Sequence, residues 1–183
     1  MPSAGGRARQ LTSSDAEDYH PRWSPDGSSI SFHSLRTGNM DIWVIPAEGG
    51  EPQQITDSQS ADFSAQWSRD GKSLLWISTR DSEVPKIWRV RVEGGLPQPV
   101  TKGPAWYPAP SLDGERVYFT GYAERTGNIW EASVAGGEER PVTDFRGKRG
   151  SLGSESLATD GEYIYFSWEE DIGDIWVMDA TKP

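Results

Sequence analysis

The sequence predicts an all-β fold, a β-propeller of four four-stranded antiparallel blades per chain, and three observations predict it. One motif recurs four times at a period of 42–47 residues, which marks a propeller or array. After the Asp-Gly pair of each copy, apolar residues stand at alternate positions, the period of a strand with one buried face. The two ends of the chain read as halves of one copy, since Gly6 to Thr12 repeats the six-residue step from Gly50 to Thr56.

The first copy runs Trp23-Ser24-Pro25-Asp26-Gly27, Asp41-Ile42-Trp43, Gly49-Gly50, Ile55-Thr56. Trp67-Ser68-Arg69-Asp70-Gly71, Ile87-Trp88, Gly94-Gly95 and Val100-Thr101 form the second. Ser111-Leu112-Asp113-Gly114, Ile129-Trp130, Gly136-Gly137 and Val142-Thr143 form the third, and Thr159-Asp160-Gly161 with Asp174-Ile175-Trp176 opens the fourth. A short strand leads into each Asp-Gly turn, where Gly accepts positive φ and Asp bonds its own backbone. A second strand carries the alternating residues Ile30 and Phe32, Leu74 and Trp76, Val117 and Phe119, Ile164 and Phe166. The Ile-Trp pairs start a third strand, and Gly-Gly reverses the chain into a fourth. One propeller domain over 1–183 follows, with blades at about 13–56, 57–101, 102–143, and 144–183 completed by 1–12. Seven of the nine Trp fall on repeat positions, Trp23 and Trp67 among them, and are expected in the core between blades.

The net charge of −10 argues against a nucleic-acid partner, because neutralising phosphates needs a basic face. No stretch approaches the roughly 20 apolar residues of a membrane-spanning helix, so no membrane role is expected. With no Cys, disulfides and thiolate chemistry are absent. Neither His20 nor His33 lies in a metal-spaced motif, and no nucleophile elbow or phosphate-cradling glycine loop occurs. No cofactor, metal or catalytic residue is therefore expected.

These motifs, above all Pro21 to Gly27, Trp67 to Gly71 and the three Gly-Gly to Thr tails, resemble the TolB-type, WD-like propeller repeat. The resemblance covers nearly the whole chain and implies architecture rather than activity, since such repeats serve docking, substrate gating and sugar processing alike. It also implies six to eight blades per ring, where this chain has four. A closed four-bladed monomer, a homodimer forming one eight-bladed ring, and a piece of a longer propeller all stay open, the terminal strand closing the seam in the first two. For localisation, the resemblance implies the bacterial periplasm for a mature form; otherwise the cytoplasm is expected.

Binding residues are sought where the innermost strands ring the axis. Six residues before the Asp of each turn stand His20, Ser64, Tyr107 and Ser154, and four before stand Arg22, Gln66, Ala109 and Ser156. These differ from blade to blade, as a recognition surface or a tolerant solvent slot would. Trp168 replaces the small residues Ser34, Ser78 and Gly121 and either touches a ligand or fills space. The candidate ligand-binding set is His20, Arg22, Ser64, Gln66, Tyr107 and Trp168. A second surface is expected on the loops around Arg36, Arg80 and Tyr122 to Asn128, and a basic patch at Arg146, Lys148 and Arg149. The expected function is a non-catalytic binding or scaffold module for a protein or small ligand. A sugar- or peptide-processing enzyme (or its gating domain) with an axial pocket, and a propeller piece or design selected only for folding and assembly, are the alternatives.

Overall fold

The computed structural model describes residues 7–123, 126–153, 157–170 and 173–179, without the side chains of 122, 123, 126 and 173–179. Its ordered elements are all strands. Blade one is β1 (Asp18–Trp23), β2 (Ser29–Ser34), β3 (Asp41–Pro46) and β4 (Gln53–Gln54), antiparallel neighbours in that order. Blade two repeats it with β5 (Asp62–Trp67), β6 (Ser73–Ser78), β7 (Lys86–Arg91) and β8 (Gln98–Pro99). Blade three comprises β9 (Trp106–Pro110), β10 (Arg116–Ala123), β11 (Thr126–Ser133) and β12 (Glu139–Pro141). In blade four, two short pieces, β13 (Ser151–Leu152) and β14 (Ala158–Thr159), share the position of the inner strand. Both pair with β15 (Tyr163–Glu169), which pairs in turn with β16 (Gly173–Asp179).

The repeated polar residues have bonds to explain them. At the first turn, the Ser24 hydroxyl donates to Asp26 Oδ1 (2.6 Å) and accepts from Ser29 N (2.9 Å), while Asp26 Oδ1 accepts from Ser28 N (3.0 Å). Those donors hold the Asp26 carboxyl down at about 2, the Ser24 hydroxyl contributing most. Ser68 with Asp70 and Ser111 with Asp113 build the same turn, and Gly27, Gly71 and Gly114 follow at φ 72°, 70° and 75°. The threonine ending each tail is equally specific. Thr56, Thr101 and Thr143 accept through Oγ1 from the amides of Ile42, Ile87 and Ile129 at 2.8–2.9 Å.

The alternation in the second strands understates their burial, because both faces of a blade are covered. Every residue of β6 is buried. Leu74 and Trp76 pack with Ile42 and Val44 of blade one, whereas Leu75 on the opposite face packs with Val117 and Phe119 of blade three. Blades pack one on two, two on three and three on four, and no extensively packed strand pair among the described residues joins four to one. Trp67 fits this scheme: it is 9% exposed and its indole N–H donates to Arg22 O of blade one (3.0 Å). Trp23 does not. It is 62% exposed, against the expectation of a core position, because no described residue gives it the cover that blade one gives Trp67.

Residues 7–12 are irregular and form no ladder with β16; the rest of the expected terminal strand, residues 1–6, lies outside the described residues. The described part packs on blade one. Leu11 lies against Ile30, Phe32, Trp43 and Ile45, as Ile55 lies against the core of blade two and Val142 against that of blade four. Arg9 anchors the segment by donating to Ala47 O (2.7 Å) and Glu48 O (2.5 Å).

Candidate functional site

The inner strands carry the feature that most needs explanation. In β1, the register with β2 slips between Tyr19 and Arg22, so that His20 and Pro21 together stand opposite Phe32. Blade two repeats the bulge with Ser64 and Ala65 opposite Trp76, and blade three with Tyr107 and Pro108 opposite Phe119. The first residue of each bulge is left-handed: His20 at φ 50°, Ser64 at 54° and Tyr107 at 51°. A bulge of this kind ordinarily takes glycine at that position. Here the described residues hold three side chains there instead, and they are the only non-glycine residues described with positive φ. Ser154 and Ser156, their counterparts in blade four, lie outside the described residues.

The bulges turn these side chains toward one another. His20, Arg22, Ser64, Gln66 and Tyr107 line a single narrow cavity with Leu157 of blade four, of about 20 Å³. This volume suits a water molecule or the tip of a side chain. Five of the six residues expected to bind are thus brought together. Trp168 is not among them. It sits on β15, 4% exposed, with its N–H donating to Arg149 O (2.9 Å) and Phe145 at 4.6 Å between ring centres. Its contacts are those of a packed residue, the second of the two readings of this position, and it lies apart from the cavity that the other five line.

An aromatic belt surrounds this bulge mouth. Tyr19 and His20 both stack on His33, at 5.5 and 5.0 Å, and Trp106 bridges Phe63 and Tyr107 at 6.2 Å from each. Apart from His33 these rings are half-buried. His33 is buried beneath them, and its Nδ1 accepts a long bond from Ser64 N (3.4 Å) across the blade boundary. Burial, with the neighbouring His20 ring adding to it, pushes the His33 imidazole down to about 4. It is therefore neutral near pH 7 and suited to accept that bond. Sequence reasoning missed His33 as part of the site, although the Ile77 and Thr120 in its slot of the next two blades were a signal.

Of the other expected surfaces, Arg36 and Arg80 are supports within their blades, whereas Arg146, Lys148 and Arg149 are exposed. Arg36 lies over Phe32 and Trp43 (4.9 and 4.8 Å) and pairs with Asp18 (2.7 Å). Arg80 does the same over Trp76 and Trp88, paired with the fully buried Asp62 (2.6 Å). Arg146 pairs with its neighbour Asp144, and Phe145 pins the stretch into the core of blade four. Residues 124 and 125 of the third hairpin lie outside the described residues. Asp41, buried at the start of β3, accepts from Thr37 (3.0 Å) and Gln54 (3.1 Å), and its carboxyl is raised by burial.

With the repeat and its axis in place, comparison with known proteins is informative. The family model of the Tricorn protease N-terminal β-propeller domain matches residues 1–126. The chain belongs to that family. An uncharacterised protein of Agrobacterium fabrum is 27% identical over 176 residues, covering 90% of this chain and 59% of its own length. A provisionally assigned TolB of Agrobacterium tumefaciens superposes at a TM-score of 0.75 with 24% identity, over 86% of this chain and 60% of that one. TolB of Acinetobacter baumannii gives 0.72 and 22%, over 87% and 40%. The chain thus spans about three-fifths of the first two relatives. At these identities the structural likeness shows the fold, a TolB-like propeller, as the repeat implied.

Proposed function

We propose that the protein is a non-catalytic binding module that recognises a protein segment at the bulge mouth, with a side-chain tip entering the narrow axial cavity. The observation that carries this reading is the left-handed conformation of His20, Ser64 and Tyr107 in three successive blades. Left-handed non-glycine backbone costs roughly 1 kcal/mol or more per residue, and such strain concentrates at ligand sites. The side chains held there differ in hydrogen-bonding character while the backbone repeats, as a recognition surface on a constant scaffold requires. The half-buried aromatic belt supports the same reading, because aromatic residues are enriched at protein interfaces and supply contact area at low entropic cost.

A thermal-shift screen with short peptides and oligosaccharides tests it, the hits being titrated calorimetrically against the wild type and the His20→Ala and Tyr107→Ala variants. A peptide that raises Tm and loses at least tenfold in affinity with either variant supports the reading. Absence of any shift, or hits indifferent to both variants, contradicts it.

A further inference from the structure

The channel has a second mouth at the Asp-Gly turns, with a different chemistry. A cavity of about 270 Å³ opens there, bounded by Trp23, Arg69, Leu112 and Thr159 from four blades, with Arg22 and Gln66 at its floor. Trp23 is 62% and Leu112 40% exposed, so an apolar wall faces solvent at this mouth. Arg22 and Arg69 both line this space, and no carboxylate is among the residues lining it. Among the described residues neither arginine forms an ion pair, in contrast to Arg36 and Arg80. Nor does the repeat require them. The slot of Arg22 holds Gln66 and Ala109 in the next two blades, and the slot of Arg69 holds Pro25, Leu112 and Thr159 in the others.

We propose that this turn mouth is a binding site for a small carboxylate carrying an aromatic or branched apolar group. The acid would be met by Arg22 and Arg69, whose planar forks suit carboxylate oxygens, and the apolar part by the Trp23 indole and Leu112. The volume accepts such a ligand, whereas the bulge mouth admits only a water or a side-chain tip. Arg22 and Arg69 are the only charged residues lining the pocket, and with the turn carboxylates Asp26, Asp70, Asp113 and Asp160 each beside a lining residue, their attraction for an anion acts at short range inside it. The site is distinct from the one under Proposed function. Trp23, Arg69 and Leu112 belong to this mouth alone, and His20 and Tyr107 to the other.

Isothermal titration of the intact chain with N-acetyl-phenylalanine, N-acetyl-phenylalaninamide and acetate tests the assignment. The acid is expected to bind, the amide at least tenfold more weakly, and acetate not at all up to about 10 mM. Arg69→Gln and Trp23→Ala should each weaken the acid at least tenfold, Arg69→Lys less, while His20→Ala leaves it unchanged. Arg69 and Trp23 are surface residues, and an unchanged Tm confirms that a variant is folded. Equal binding of acid and amide, indifference to Arg69→Gln, or no binding of the acid overturns the proposal. A dimer in light scattering that Trp23→Ala dissociates overturns it as well, because the wall would then be an interface between copies.

Discussion

The two ends of the channel are built by the same inner strands, only three residues apart, yet they follow opposite rules. At the bulge mouth the backbone is strained, the cavity is narrow, and half-buried aromatic rings stack around it. At the turn mouth the ladder is regular, the cavity is wide, and the Trp23 indole and Arg69 are exposed above a half-buried Arg22. The difference comes from where each strand departs from its partner. A bulge swings His20, Ser64 and Tyr107 inward, whereas Trp67, back in register, leans toward the preceding blade and Trp23, in the same slot, stands exposed. A propeller inner strand can therefore place recognition chemistry at one end through backbone strain and at the other through an uncovered packing residue.

The sharpest way to test that contrast is to truncate the same repeat residue in two blades. Trp67→Ala should destabilise by about 3–5 kcal/mol, because it empties a packed seat and removes the bond to Arg22 O. Trp23→Ala should stay within about 0.5 kcal/mol, as an exposed side chain does. Urea unfolding of both variants checks this, and equal losses would mean that Trp23 is packed in solution.

The bulge mouth can be loosened from beneath with acid. His33 titrates near 4 in the folded chain, against about 6.5 when unfolded, so the unfolded state binds more protons between those values. Its contribution to stability is fully present above about pH 6.5 and is lost as the pH falls toward 4. Roughly 2 kcal/mol is expected over that window, allowing for residual solvent screening. The His33→Gln variant should lack this part of the pH slope, and an unchanged slope would show that His33 is solvated in the folded state.

Much of this was legible in the residues. The Asp-Gly turns answer to bonds within the turn, and the Ile-Trp starts and Thr ends to one bond between them, so the motif states its own geometry. The axial positions were found because they vary where their neighbours repeat. Left-handed backbone at Ser64 and Tyr107 was not legible, since neither residue type signals positive φ and the bulge arises from strand pairing. The exposure of Trp23 was hidden for a similar reason: it shares a slot with the buried Trp67, and only the neighbouring blade distinguishes them. At Trp168 the sequence left two readings open, because a residue that breaks a repeat can fill space as well as bind.

Strain at three axial residues, held for the side chains they present, is the centre of this account. Its most direct test is the unfolding free energy of glycine against alanine at positions 20, 64 and 107, since both substitutions delete the side chain and differ in their tolerance of positive φ. The account predicts that glycine is the more stable by about 1 kcal/mol at each position. Alanine equal to glycine, or better, would contradict it.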